Sequence, residues 1–170
     1  DVELDRIETA GVLTLGGILT SKVDVDGFTY SGGASEVRVL ALKHSNSAVT
    51  FTGDGSSFVQ SLYVGSRGGV VLSNVTSSGV MSVDGNVDCS SSGSEVVVLE
   101  GATVSSGNSL MTLKGSDMVL NGSLSSGLSV TTVQVCSGVS MALGGDSPDS
   151  GRVVLDSSEL SRVSSTGLVL

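Results

Sequence analysis

Tryptophan is absent, a single proline (Pro148) and a single histidine (His44) occur, and phenylalanine and tyrosine together make up 3% of the chain. Each scarcity removes a class. A β-sandwich or barrel of this length ordinarily fills its core with several large rings. The only aromatics here are Phe28, Tyr30, Phe51, Phe58 and Tyr63, all in the first 63 residues, which argues for a different β architecture. Eight basic residues against 17 acidic ones set the net charge at −9. No basic stripe is present to meet phosphates, which speaks against nucleic acid and anionic membrane surfaces as partners. No apolar run approaches the ~18 residues that span a bilayer, so no membrane insertion is expected. The opening DVELDRIETA has no initiator Met, basic region or hydrophobic stretch, so it is not a signal peptide. Targeting information is therefore expected outside these residues. With no CxxC and one histidine, an ordinary zinc site is not expected.

What the chain does contain is 34 Ser, 28 Val and 24 Gly in 170 residues. Ser and Gly at this level often mark flexible linkers. The 39% hydrophobic content is too high for a disordered segment. Valine is stiff at χ1 and packs well on a pleated surface. Its alternation in GVLTLGG, KVDVDG, EVRVLAL, AVTFTGDG, EVVVLEGATV, LMTLKG and RVVLDSS, each bounded by Gly, Ser, Asn or Asp, predicts many short strands joined by tight turns. Only VELDRI and SELSRV have a helical cast. An all-β chain with a thin core of stacked Val, Leu and Ile fits a coil of short strands better than a sandwich.

Internal echoes point the same way. The chain closes on a variant of its opening: Glu3, Leu4, Arg6 and Ile7 recur as Glu159, Leu160, Arg162 and Val163, 156 residues later. With one residue skipped, Leu13 and Leu15 fall on Leu168 and Leu170. A shorter echo places SEVRVL at Ser35 and SEVVVL at Ser94, 59 residues apart, and NSAVTFTG parallels NSLMTLKG. The expected organisation is one β-solenoid module over 1–170, with 157–170 beginning the next copy of the 1–15 motif and subrepeats at about 35–93 and 94–151. Roughly 20 residues per turn would give about seven to eight coils in a body roughly 35–40 Å long.

The pattern ELDRIETAGVLTLGG followed by Gly- and Ser-punctuated alternation resembles the repeat regions of large secreted β-helix proteins, the filamentous-haemagglutinin-like adhesins among them. The resemblance implies a right-handed parallel β-helix forming a stiff shaft at a cell surface or outside the cell. It carries no catalytic residues. The two cysteines and the lack of a secretion domain depart from that group.

The chemical candidates are few. Cys89 and Cys136 either form a disulfide, which would suit an oxidising compartment, or are two small buried hydrophobes; their turn-like settings favour pairing. His44, in LKHSNS, has no nucleophile or carboxylate assigned to it by the sequence and reads as a surface turn residue. Acidic loops at Asp24/Asp26, Asp84/Asp88 and Asp146/Asp149 raise calcium as a weakly supported ligand, but none has a calcium-loop spacing, and Asx turns explain them. No other cofactor is indicated. Asn74 and Asn121 match the N-glycosylation pattern. Glu3/Arg6 and Glu159/Arg162 read either as (i, i+3) pairs on a helical turn or as ties between adjoining modules.

Three functions are compatible with such a chain. A stacking unit of a long extracellular or surface fibre, with itself as partner, explains the terminal echo. An adhesin shaft or carbohydrate-binding module, meeting cell-surface glycans, would need exposed aromatics. A polysaccharide-degrading β-helix enzyme would need clustered carboxylates and bases, whereas Lys22, Lys43 and Lys114 are scattered. The chain is therefore expected to be non-enzymatic.

Overall fold

The computed structural model describes residues 6–90, 93–136, 138–144 and 152–170. Its strands wind as a parallel β-helix in which three strands make one turn. The first turn is β1 (Val12–Gly17), β2 (Lys22–Asp26) and β3 (Thr29–Tyr30). The second is β4 (Glu36–Ala41), β5 (Ala48–Thr52) and β6 (Ser56–Phe58), and the third β7 (Ser61–Ser66), β8 (Val70–Leu72) and β9 (Val75–Ser77). The fourth is β10 (Met81–Asp84), β11 (Val96–Val98) and β12 (Thr103–Ser105), and the fifth β13 (Met111–Gly115), β14 (Met118–Leu120) and β15 (Ser123–Ser125). The sixth departs from the pattern. After β16 (Val130–Val135), β17 (Ser140–Leu143) pairs with β18 (Arg152–Leu155) in a sheet of their own. A short helix α1 (Ser157–Leu160), β19 (Val163–Ser164) and β20 (Gly167–Val169) follow.

Apart from the β17–β18 pair, the strands form three sheets. The first has the order β1-β4-β7-β10-β13-β16-β20, the second β14-β11-β8-β5-β2, and the third β19-β15-β12-β9-β6-β3. The side-chain alternation of a strand assigns every second residue to the interior, and parallel in-register stacking puts like residues above one another. One inward column runs Leu13, Val37, Leu62, Met81, Met111, Thr131, Leu168. The next runs Leu15, Val39, Val64, Val83, Leu113, Val133. In the second sheet Val23, Val49, Val70, Val96 and Met118 stack, and in the third Val75, Val104, Leu124 and Val163. Most of these are fully buried, each stabilising the fold by about 1.5–3 kcal/mol relative to exposure.

Steps along the first column are 24, 25, 19, 30, 20 and 37 residues. The first sheet therefore has seven rungs, six turns and the first strand of a seventh, at the lower end of the expected seven to eight coils. The expected period holds for the third and fifth turns. Elsewhere more residues separate successive strands, above all between β10 and β11 in the fourth turn and after β16 in the sixth. The 59-residue echo also changes meaning. SEVRVL contributes β4 to the first sheet, whereas SEVVVL contributes β11 to the second. NSAVTFTG and NSLMTLKG likewise supply β5 of the second sheet and β13 of the first. These segments share strand-and-turn grammar, not position.

The equivalence that does mark position is the corner leading from the third sheet to the first. There VTSSGVMSV, VSSGNSLMTL, LSSGLSVTTV and VSSTGLVL stack in consecutive turns. Ser77 Oγ donates to Gly79 O (2.8 Å), Ser106 Oγ to Ser109 O, Ser126 Oγ to Ser129 O (3.0 Å) and Ser165 Oγ to Gly167 O (3.0 Å). Ser77, Ser106 and Ser126 are buried, so these bonds remove the penalty that an unpaired hydroxyl would carry there.

Close stacking also restricts the corner between the second and third sheets. A Cβ added to buried Gly122 would lie 2.4 Å from Leu99 O and 2.5 Å from Ala102 O, both backbone atoms. Gly122→Ala is expected to lower stability by about 1–3 kcal/mol, an overpacking cost, in urea denaturation. Gly11→Ala, whose nearest neighbour would be Thr9 Oγ1 at 3.6 Å, is the near-neutral control. Equal midpoints for the two variants would contradict the steric account.

Candidate inter-module junction

The recurring E-L-x-R segment lies where the second sheet stops. Asp156 caps α1: its Oδ1 accepts from Glu159 N (2.8 Å), and Glu159 Oε2 accepts from Asp156 N (3.1 Å), a reciprocal capping box. The Glu159 N–H bond holds the Asp156 carboxyl below its ordinary value. The other Glu159 oxygen, Oε1, accepts from Leu120 N (3.0 Å), while Arg162 donates through an Nη to Leu120 O. Leu120 ends β14, the terminal strand of the second sheet. Two side chains thus meet the N–H and C=O that a further strand would have paired, so that edge is closed by charge-assisted bonds.

Beyond the clamp, ladder pairing resumes. Leu124 N donates to Arg162 O (3.0 Å), Ser126 N to Ser164 O (3.0 Å) and Thr166 N to Ser129 O (2.9 Å). Leu160 and Val163 pack partly buried against the core. β20 then places Leu168 opposite Thr131 and Val169 opposite Thr132. The signal for Leu120 as the target was not in the sequence, because nothing local to Leu120 distinguishes it from other strand ends.

Glu159→Ala removes both the capping-box acceptor and the Leu120 partner. It is expected to cost on the order of 1–2 kcal/mol in chemical denaturation, whereas Glu159→Gln, which retains an acceptor, costs less. A silent alanine variant would show that the clamp contributes nothing.

Of the opening copy, Glu3 and Leu4 lie outside the described residues. Arg6 and Ile7 are exposed, and Ile7 O accepts from Tyr30 Oη (2.9 Å).

Cys89 and Cys136 are disulfide-bonded, with Cα atoms 5.5 Å apart. Cys89 sits in the long corner loop after β10, and Cys136 directly follows β16, so the bond staples the fourth turn to the sixth across the fifth. Around it, Arg67 Nε lies 3.3 Å from Asp88 Oδ2 and Lys114 Nζ lies 2.9 Å from Asp84 Oδ2. Hydrogen bonding by Ser90 to Asp88 lowers that carboxyl's pKa.

The remaining candidates disperse. His44 is exposed in the turn after β4, its backbone N donating to Ser47 Oγ (2.8 Å). Asp24 pairs with Lys22 (2.9 Å) and Asp84 with Lys114; Asp146 and Asp149 lie outside the described residues. Among the described residues no three His, Cys, Asp or Glu side chains converge where a metal ion could sit. Asn74 and Asn121 are both exposed at the corner between the second and third sheets. Asn74 Oδ1 is engaged there by Thr103 N (2.8 Å). Phe28, Tyr30, Phe51 and Phe58 are buried and pack as a ring cluster with centroids 5.7–6.5 Å apart. Tyr63 alone stands on the outer face of the first sheet, half-buried, with the Arg38 guanidinium 5.9 Å from its centroid. Burial, followed by the Asp84 charge, pushes its hydroxyl pKa up.

No family model, curated protein or solved structure matches this chain.

Proposed function

We propose that this chain is a structural unit of a long extracellular or cell-surface fibre, stacking head to tail on copies of itself as one continuous β-solenoid. The observation that carries the reading is phase. With one residue skipped, the closing echo aligns Leu168 with Leu13, and Leu168 stands six ladder steps from Leu13 in the same column of the first sheet. A repeat length unrelated to the coil would have left the second copy facing a different direction. Because 157–170 echoes 1–15, the contacts of that segment with β14, β15 and β16 are a template for the junction between units.

Two further features support the reading. The disulfide suits an oxidising, extracellular setting. Four of the five aromatics are consumed by the core, which leaves little surface for sugar stacking and favours a shaft over a carbohydrate-binding module. The resemblance to filamentous-haemagglutinin-like shafts agrees with both. Stiffness follows from the ladder, since bending the fibre would stretch hydrogen bonds along every sheet.

The test is a two-copy chain, residues 1–156 followed by residues 1–170, examined by small-angle scattering and electron microscopy. One rod close to twice the length of the single chain is the expected result. Two beads on a flexible joint would overturn the proposal.

A further inference from the structure

Charge is unevenly placed along this chain. Four times it passes from the third sheet over the corner into the first, and each pass is free of Asp, Glu, Lys and Arg: 56–66, 75–83, 103–113 and 123–135 hold none. These passes open turns three, four, five and six. The acidic excess behind the net charge of −9 lies elsewhere. Within the uncharged strip, outward positions that would ordinarily be polar are aliphatic. Val80, Leu110 and Val130 immediately precede Met81, Met111 and Thr131 of the inward column, so alternation turns them to the outer face. Val80 and Leu110 are 44% and 52% exposed, and Leu128, two residues before Val130, is 81% exposed. The ladder sets them in successive rungs, Leu62 N donating to Val80 O (2.9 Å) and Met81 N to Leu110 O (3.0 Å). The buried serines fix them from beneath, because Gly79, Ser109 and Ser129, whose carbonyls accept from Ser77, Ser106 and Ser126, are the residues just before them. Ser82, Thr112 and Thr132 form the adjoining outward column.

We infer that this strip is where a second copy of the chain docks side by side, strip against strip, so that stacked fibres pair laterally. The inference rests on the stacking reading above and adds a lateral contact to the axial one. Charge selects the face. Two copies at −9 repel on approach, and they repel least where neither carries charge; depletion of charge is also what marks the centre of protein interfaces. Spacing selects the partner. The aliphatic side chains recur at the ~4.8 Å strand spacing, and a second copy offers the same spacing, so the side chains of one seat between those of the other along the whole strip. Area sets a dependence on length. Four rungs and about three outward columns, roughly 7 Å apart along the strand, make roughly 300–400 Å² per unit. A stable interface takes about 800 Å² per partner. One unit alone is too small, and two in series approach the requirement.

The single chain and the two-copy chain are compared by sedimentation velocity over a range of concentration and salt. The expected result is a single chain that stays monomeric where the two-copy chain pairs, with pairing tightened as salt screens the net charge. Leu110→Ser in both copies weakens pairing at least about tenfold, the equivalent of one buried leucine, and Leu110→Glu abolishes it. Thr52→Glu adds the same charge at an exposed position of β5 in the second sheet and leaves pairing in place. Circular dichroism establishes that each variant is folded. A two-copy rod that stays monomeric, or that pairs without regard to Leu110, overturns the docking assignment and leaves the stacking reading standing. Pairing that salt weakens does the same, since it would be a charge contact. Two beads on a flexible joint overturn both, because jointed units share no common axis along which their strips align.

Discussion

Breaking the Cys89–Cys136 bond, by thiol reduction or as the C89A/C136A double variant, is expected to lower stability by about 4 kcal/mol. The figure is the chain-entropy value for a closed loop with a sequence separation of 47. In a body of this size that corresponds to a fall in Tm of roughly 10 °C. Location sharpens the expectation. The bond spans the turns where regular winding is interrupted, by the 85–95 loop and by the departure of β17 and β18 from the second sheet. In a solenoid each turn is held by its neighbours, so the loss should be concentrated in turns four to six, with turns one to three melting later. Thermal unfolding followed by circular dichroism in oxidising and reducing buffer reads the total. Hydrogen exchange reads its distribution. An unchanged melting curve under reduction would show that ladder hydrogen bonds alone hold this end.

The second large effect lies in the inward column. Leu113 is fully buried, with Val83 below it and Val133 above. Leu113→Ala is expected to cost about 2–5 kcal/mol, the lost transfer energy plus the cavity. The upper part of that range is favoured by geometry, because neighbours above and below are fixed at the strand spacing and cannot collapse into the space without breaking ladder bonds. Thr112, one residue away and facing outward, is the control. Thr112→Ala should stay within about 0.5 kcal/mol. Urea denaturation of the two variants decides the matter, and a Leu113→Ala cost below about 1 kcal/mol would contradict a tightly stacked interior.

The strands were largely legible. GVLTLGG, KVDVD, EVRVLA and AVTFT are each a strand with the alternating side facing inward, because a period of two needs no tertiary information. From the sequence the disulfide is one of two alternatives, since turn-like settings favour pairing but spacing does not fix geometry. The serine corners are not legible in the sequence, although SSG recurs at Ser77, Ser105 and Ser125, because a run of Ser and Gly reads as generic turn until stacking shows that one hydroxyl in each is buried. Glu159 and Arg162 stand out in the sequence as a motif, but their target does not. Leu120 is 39 and 42 residues away, and only the folded chain brings its backbone within reach.

The echoes show the division most clearly. Sequence alone determined that the chain is all-β, which residues face inward, that the strands stack in parallel turns, and that its last segment restates its first. It could not determine which of three sheets a strand joins, since SEVRVL and SEVVVL look alike yet sit on different faces. The reason is that alternation encodes an inside and an outside, and all three faces of the coil have the same inside. Which face a strand takes depends on how far each corner turns the chain, and so on loop length, on glycines such as Gly16 and Gly122, and on the ladder of the turn beneath. Those are properties of packed layers, and the tertiary structure decided them.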